Sequence, residues 1–338
     1  MNHSEEIKNL INTLVSQNGS DIHITAGRKP VIRVDGGLVV LEGYSIYTNE
    51  DVSEMLSVMA SPEKRNAFKK DQEIDFAFDF SEKMRLRGNA YFQQGKIGIA
   101  LRLIPEIKNI EELNLPDILK QFAYKEQGFF LIVGPVGQGK STTMASLLEI
   151  INKERAEHIV TIEDPVEYIF EPKRSLIEQR EVGVDTKNFA SALKSVFRQD
   201  ANIIMVGEMR GPETMAAAVT AAETGHLVFS TLHTNNAAQT IDRIIDSFPA
   251  EQQSQIRSQL SNALLGIFSQ RLIPRVAGGL VPAYELLLNN NAVSNLIREG
   301  RTHEISVAIE TGSQHGMIDM NHSLANLVKK GEISIDNA

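Results

Sequence analysis

Two patterns of hydrophobic and polar positions divide the chain near residue 103. Before that point, short runs alternate between apolar and polar positions, which is typical of strands with one buried face. They predict strands at residues 22–24, 31–34, 38–41, 74–80, 84–93 and 97–103. Hydrophobic positions spaced three and four apart predict helices over residues 3–18 and 49–59. The first hundred residues are therefore expected to form a small antiparallel sheet with helices, an α+β domain.

A different pattern begins after a stretch with two prolines, residues 104–116, which is predicted to be a linker. Strands that are apolar almost throughout are expected at residues 129–133, 158–162, 203–206 and 227–230, alternating with helices. This alternation predicts a parallel sheet covered on both faces. The last third is expected to be mainly helical, with helices over 251–272, 291–299 and 321–330. The predicted division is an α+β domain at 1–103, a linker at 104–116, and an α/β domain with a C-terminal helical bundle at 117–338.

The loop after the strand 129–133 has the spacing of a phosphate-binding loop (P-loop). Its glycines allow successive backbone N–H groups to point at one phosphate chain, and the N-terminus of the next helix adds a partial positive charge. Lys140 can reach the terminal phosphates, and the Ser141 hydroxyl can bind Mg²⁺. The loop therefore predicts binding of a nucleoside triphosphate. The expected contacts are Gly134, Pro135, Val136, Gly137, Gln138, Gly139, Lys140, Ser141 and Thr142.

Polar residues follow the other three apolar strands of this domain. Glu163 comes after the strand 158–162, Glu208 after 203–206 and His233 after 227–230. In parallel sheets ligands bind at the carboxyl ends of the strands, so these residues are candidates to bind Mg²⁺ or to orient water. A single strand-end glutamate is usually only a solvated charge, but two at neighbouring ends favour the catalytic interpretation. His226 and His233 are weaker candidates, since lone histidines are usually structural and their spacing matches no zinc signature.

Composition limits the class of protein. The chain has 338 residues, of which 42% are hydrophobic, and this length predicts about two domains. The sequence contains no stretch typical of a membrane-spanning helix or a signal peptide, and the lack of cysteine excludes disulfides and thiolate zinc sites. A net charge of −9 argues against nucleic acid as the main partner.

The order of the motifs resembles the motor ATPases of secretion and pilus systems. In that family, the P-loop is followed by an acidic box, here residues 161–167, an atypical Walker B motif at 205–210 and a His box at 224–234. Gly207 stands where many P-loop proteins have an aspartate, an oddity that the family shares. The chain resembles most closely the type IV pilus retraction ATPases (the PilT family), from residue 20 to the end. Residues 292–299 stand where those motors have AIRNLIRE, with Val293 and Ser294 replacing Ile and Arg, and Val136 and Gln138 replace the usual threonine and serine of the P-loop.

The resemblance implies a homohexameric ATPase that couples ATP hydrolysis to pilus retraction, with a PAS-like N-terminal domain linked to a RecA-like P-loop NTPase domain and with ATP and Mg²⁺ between them. It implies that Glu163 polarises water, that Glu208 acts through Mg²⁺ or the same water, and that His226 and His233 sense the γ-phosphate or brace the subunit interface. The implied partners are an inner-membrane platform protein and the pilus base. The protein would lie in the cytoplasm, peripheral to the membrane, without direct nucleic-acid contact.

The resemblance also implies that arginines of the N-terminal domain reach the phosphates, and Arg85, Arg87 and Arg102 lie at matching positions. Arg85 and Arg87 share one sheet face because they are two residues apart on a strand. The simpler interpretation is that these arginines pair with carboxylates such as Asp75 or Asp79.

Other functions share parts of this pattern. A pilus-extension or type II secretion ATPase usually carries an extra N-terminal domain and often a four-cysteine zinc loop, both missing here, while an accessory retraction ATPase fits the altered 292–299 motif. A nucleic-acid translocase on the same core predicts basic pore loops, which the acidic composition disfavours. A small-molecule kinase would need a lid bearing arginine, and a non-catalytic nucleotide sensor is disfavoured by the intact Lys140, Ser141, Glu163 and Glu208.

Overall fold

The computed structural model describes residues 2–17, 19–34, 36–81, 84–104 and 106–338. These form two compact units. Unit 1 comprises Met1–Glu106 together with the segment Pro165–Ile169, and unit 2 comprises Ile107–Asp164 and Phe170–Ala338. The boundary between Glu106 and Ile107 falls within the stretch predicted as a linker, of which Pro105 lies outside the described residues. Asn18, in the last part of the first predicted helix, is also outside them.

Unit 1 contains a six-stranded antiparallel sheet with helices. The strands are β1 (Asp21–Thr25), β2 (Val31–Val34), β3 (Gly37–Val40), β4 (Glu73–Ser81), β5 (Met84–Gln93) and β6 (Lys96–Ile104), in the spatial order β3-β2-β1-β6-β5-β4. The helices are α1 (His3–Ser16), α2 (Asn49–Met59) and α3 (Pro62–Asp71). One hydrophobic core joins the buried faces of α1 and α2 to the sheet. The α+β domain and its antiparallel strands agree with the sequence pattern.

Local signals set the ends of the helices in unit 1. Thr48 and Asp51 form a capping box, in which each side chain accepts a hydrogen bond from the backbone of the other, so α2 begins at the predicted residue. The helix α3 was not predicted. It begins after a Ser61 cap with a proline in the first turn, but Phe68 is its one buried residue, so it has no hydrophobic stripe to reveal it.

Unit 2 contains a seven-stranded sheet in the order β13-β12-β7-β11-β10-β8-β9, parallel except at β13. The strands are β7 (Gly128–Val133), β8 (His158–Glu163), β9 (Leu176–Glu181), β10 (Ile203–Val206), β11 (Leu227–Leu232), β12 (Leu264–Pro274) and β13 (Leu280–Leu288). The helices are α4 (Lys120–Ala123), α5 (Lys140–Glu154), α6 (Phe189–Val196), α7 (Pro212–Glu223), α8 (Ala237–Asp246), α9 (Ala250–Ala263), α10 (Asn291–Glu299), α11 (Ile305–Thr311) and α12 (Met320–Lys329). The four predicted apolar strands form its centre, and the positions of β7, β10 and β11 are buried throughout.

The prediction of one helix over residues 251–272 is wrong. The helix α9 ends at Ala263, and the following residues form β12, which lies between β7 and β13 inside the sheet. The error arises because a run that is buried on both faces satisfies the helical and the extended pattern equally well. Gly266 favours the strand, since a Cβ at this position would lie 2.6 Å from the carbonyl oxygen of Leu287 on β13. The last third is still mainly helical, as predicted, but it also contains a β-hairpin that completes the sheet.

Within the described ranges, no helix combines the length and the apolar character that crossing a membrane requires.

Candidate nucleotide-binding site

The loop between β7 and α5 has the backbone shape of a phosphate-binding loop. Gly134, Gly137 and Gly139 have φ angles of +148°, +77° and +76°, a region that side chains other than glycine rarely adopt. Gly139 is the N-cap of α5, so no side chain caps the first turn, which also contains no acidic residue. The N–H groups at this end of α5 are therefore directed at whatever anion occupies the loop.

The ammonium group of Lys140 lies inside this loop. Its side chain is buried, and Nζ donates to the carbonyl oxygens of Gly134 and Pro135 at 2.7 and 2.8 Å. Nζ also lies 3.3 Å from Nδ1 of His233, which follows β11. The positive charge is thus held where the loop curves around it, and it reaches across to the neighbouring strand end.

The other predicted loop contacts differ in exposure. Ser141 is exposed in the first turn of α5, Thr142 is half-buried, and Val136 is 80% exposed. The side chain of Gln138 is bound within the protein, because its Oε1 accepts from the backbone N–H of Leu272 at 2.7 Å. The hydroxyl of Ser141 is therefore accessible to a ligand, whereas the amide of Gln138 supports the loop from behind.

Glu208 and His233 are brought together with Lys140 at the carboxyl ends of β10, β11 and β7. These three strands are consecutive in the sheet, so their following loops lie side by side. Oε2 of Glu208 lies 3.5 Å from Nε2 of His233, and Oε1 lies 2.5 Å from Nη2 of Arg210. The carboxylate raises the pKa of the Arg210 guanidinium above its ordinary value by hydrogen bonding. A polar chain thus runs from Lys140 through His233 to Glu208.

Glu163 lies at the end of β8, one strand beyond β10. It is buried, and its Oε1 accepts from Oγ1 of Thr161 at 2.6 Å and from Nε2 of Gln179 at 3.2 Å. Gly207 packs beside it, since a Cβ at this glycine would lie 3.3 Å from the carbonyl oxygen of Ile162 and 3.5 Å from Cα of Glu163. A larger side chain at position 207 would press on the end of β8, which explains a glycine here. The two glutamates therefore occupy adjacent strand ends with different partners.

His226 does not lie at this edge of the sheet. It precedes β11, and its Nδ1 lies 3.1 Å from the carbonyl oxygen of Ala221, while its ring meets Phe197 edge to face. His233 lies seven residue steps further along an extended chain, a distance of about 23 Å. His226 therefore cannot sense a phosphate bound to the loop of its own subunit. A role at a subunit interface stays a prediction.

The three predicted arginines lie on the sheet of unit 1. Arg87 on β5 is directly opposite Arg102 on β6, and Arg85 precedes it by two residues on the same face. Each is paired with a carboxylate: Arg85 with Asp79 at 3.2 Å, Arg87 with Glu167 at 3.4 Å and Arg102 with Asp21 at 2.9 Å. In this structure the arginines therefore pair with carboxylates, as the simpler interpretation holds. Asp79 is one of the partners, whereas Asp75 accepts a hydrogen bond from Asn89. Contact with a nucleotide stays a prediction.

Two polar residues near the loop were missed because their strands, β12 and β13, were not predicted. The buried Gln270 of β12 bonds to the phosphate-binding loop and to α5. Glu285 of β13 accepts from the backbone N–H of Ala237 at 2.7 Å and from Oγ of Ser269 at 3.2 Å, and thereby caps α8. Burial raises the pKa of the Glu285 carboxyl, and the nearby Asp319 adds to this effect. A motif search does not find such residues, since neither carries a signature of its own.

Known proteins resemble the chain over almost its full length. The model of the type II/IV secretion system protein family matches residues 3–329. The type IV pilus retraction ATPase PilT of Pseudomonas aeruginosa is 42% identical over 334 residues, which cover 98% of this chain and 97% of the relative. A twitching motility protein of Neisseria gonorrhoeae is 41% identical, with coverages of 98% and 89%. A crystal structure of the pilus retraction motor PilT with bound ADP superposes with a TM-score of 0.90 at 42% identity, covering 97% of this chain and 94% of that one.

Proposed function

The chain belongs to the type II/IV secretion system protein family, and within it to the PilT group, so we propose that it is an ATPase that drives the retraction of type IV pili. The resemblance to the retraction ATPases is confirmed, and so is the expected two-domain α/β class with an ATPase domain of the PilT kind. A relative of similar length is named for twitching motility, the movement that pilus retraction produces. The chemical activity is hydrolysis of ATP.

The observation that carries this proposal is the polar chain at the carboxyl edge of the unit 2 sheet. Lys140 lies within a loop shaped by glycines with positive φ, and His233 connects it to Glu208. The loop binds the phosphates through backbone N–H groups and the ammonium group. In our proposal Glu163 orients and polarises the attacking water, and His233 responds to the charge of the terminal phosphate.

The residues at this edge also suit a magnesium ion held mainly by the nucleotide. The described residues contain no cluster of three or more histidines and carboxylates that would form a cation site by themselves. Mg²⁺ typically keeps several waters and is bound through one or two protein oxygens plus phosphates. The exposed hydroxyl of Ser141 and the carboxylate of Glu208 would supply those oxygens. The ion would neutralise phosphate charge during transfer.

The working assembly is also part of the proposal. We expect a homohexamer at the cytoplasmic face of the inner membrane, bound to a platform protein at the pilus base. In that assembly Arg85, Arg87 and Arg102 would exchange their present carboxylate partners for nucleotide phosphates. Guanidinium groups bind phosphate and carboxylate oxygens with the same geometry, which makes this exchange chemically reasonable.

ATP turnover by the purified protein tests the chemistry. Replacing Lys140 by alanine removes the positive charge that stabilises the transferred phosphate. Turnover should therefore fall about 1,000-fold or more, within the range of electrostatic contributions to phosphoryl transfer. The matched control is Lys153→Ala, because Lys153 lies on the same helix α5 but is exposed and pairs with Glu149. The control should keep normal turnover.

Two results would contradict the proposal. Near-normal turnover by the Lys140 variant would remove the phosphate-binding loop from the mechanism. Retraction can be measured on labelled pili in a host whose own retraction motor is deleted and replaced by this protein. Normal ATPase activity without retraction there would keep the assignment as an ATPase but reject the pilus function.

A further inference from the structure

The phosphate-binding loop is attached to β12 by side chains of both segments. Nε2 of Gln270 donates to the backbone carbonyl oxygen of Gln138 at 2.8 Å, and Oε1 of Gln138 accepts from the backbone N–H of Leu272 at 2.7 Å. Each glutamine thus binds the backbone of the other segment. The last paired residues of β7 and β12 are Val133 and Ser269. The two glutamines therefore continue the contact with β12 beyond the end of β7, into the loop.

The same amide also fixes the helix that follows the loop. Oε1 of Gln270 accepts from Oγ1 of Thr143, in the first turn of α5, at 2.7 Å. Gln270 is 3% exposed, so its hydrogen bonds are screened little by water. One buried side chain therefore sets the distance between the loop and the start of α5, the two elements that bind phosphate.

The fit of the backbone allows little displacement of the loop toward β12. A Cβ at Gly134 would lie 2.4 Å from the carbonyl oxygen of Gln270, and one at Gly139 would lie 3.0 Å from its Nε2. Loop and strand are thus in direct contact at both ends of the loop. A loop with three such glycines would otherwise have a large choice of conformations in the absence of a ligand.

We propose that Gln270 and Gln138 are positioning residues that hold the phosphate-binding loop in its nucleotide-binding shape before the nucleotide arrives. This proposal rests on the proposed function, because it assigns the loop its ligand. Neither glutamine needs to touch the reacting atoms. Affinity is reduced by the fraction of molecules whose loop is already in the competent shape, so loosening the loop should weaken binding and leave the chemical step intact.

The test replaces Gln138 by methionine, which has nearly the same length but no acceptor for the Leu272 N–H. The matched control is Gln199→Met, since Gln199 is also half-buried and its side chain donates locally, to Ser195 four residues earlier in the chain. For the Gln138 variant, the ADP dissociation constant and the KM for ATP should rise about five- to tenfold, the factor that corresponds to one ordinary hydrogen bond. Its kcat should stay within about twofold, because saturating ATP restores the loop shape.

A second measurement separates positioning from a general loss of stability. Hydrogen exchange of the amides at 136–140 should be faster than in the wild type without nucleotide and should match the wild type at saturating ADP. The Gln270→Met variant should show the same split between KM and kcat, but it also deprives the buried Thr143 hydroxyl of its acceptor and will lower thermal stability. The Gln138 variant is therefore the one that tests the positioning role.

Unchanged ADP affinity in the Gln138 variant would overturn the inference, as would a fall in kcat at constant KM. These results are distinct from a failure of the proposed function, in which the wild-type protein itself neither binds ADP nor hydrolyses ATP.

Discussion

Replacing Gly134 by alanine tests how closely the phosphate-binding loop lies against β12. The new Cβ would meet the carbonyl oxygen of Gln270 at 2.4 Å, and Gly134 has a φ of +148°. The carbonyl has little room to retreat, because Gln270 is paired with Tyr284 of β13. The substitution therefore combines backbone strain with a steric overlap that neither strand relieves easily.

Both costs can be sized. A side chain held in a sparsely populated φ/ψ region costs about 1–3 kcal/mol, and overpacking of a buried contact costs about 1–3 kcal/mol more. The Gly134 variant should thus lose about 2–6 kcal/mol of its free energy of unfolding. Gly137→Ala is the control, because Gly137 has a φ of +77° and an added Cβ would have no described atom within 4 Å, so only a backbone cost of about 1–2 kcal/mol applies.

Thermal unfolding of the nucleotide-free protein measures the difference. The relevant transition is the one that ADP shifts upward, since a ligand stabilises the unit that binds it. The central values of the two costs, about 4 and about 1.5 kcal/mol, differ by about 2.5 kcal/mol. In a domain of this size each 1 kcal/mol shifts the midpoint by about 2–4 °C, so the Gly134 variant should unfold about 5–10 °C below the Gly137 variant. Equal midpoints for the two variants would refute the close approach of loop and strand.

Three further substitutions address catalysis, coupling and pH. Glu163→Gln should bind ADP normally and hydrolyse ATP about 100-fold more slowly or worse, as expected when a general base is lost, and loss of ADP binding would instead mark Glu163 as structural. Arg298→Ala, at an exposed position of α10, should keep ATP turnover but abolish pilus retraction; equal loss of both would make this residue part of the packing. Glu285→Gln should raise the melting temperature at pH 8. Burial raises the folded-state pKa of Glu285 above 4.5, so the stability of the wild type falls as the pH rises through that pKa. The difference in melting temperature between variant and wild type should therefore vanish towards pH 4.5. A difference that is independent of pH would contradict this prediction.

The strands and motifs that depend on local sequence could be predicted. The helix α2 and the strand β5 have the predicted bounds, and the central strands of unit 2 are apolar at nearly every position. The grouping of Lys140, Glu208 and His233 also follows from sequence, because parallel strands bring their carboxyl ends to one edge. The sequence pattern therefore predicts correctly those features that depend only on the residues of a short segment.

Elements without a clear hydrophobic period were missed. The edge strand β9 has the sequence LIEQRE and is mostly polar, and α3 buries only Phe68. The strand β12 was mistaken for a helix because it is buried on both faces. In each case tertiary position, which the local pattern does not contain, decides the outcome.

The support of the phosphate-binding loop shows why tertiary position also matters for function. The glycines of this loop are required for different physical reasons. Gly134 allows the backbone of β12 to approach closely, whereas Gly137 lies in open space and needs only a positive φ. The hydrogen bonds that hold the loop and α5 come from Gln270 and from the loop's own Gln138, and each joins residues more than a hundred positions apart along the chain. A change in the β12–β13 hairpin that leaves every motif intact should therefore alter nucleotide affinity, because the loop keeps its residues but loses the strand against which it is shaped.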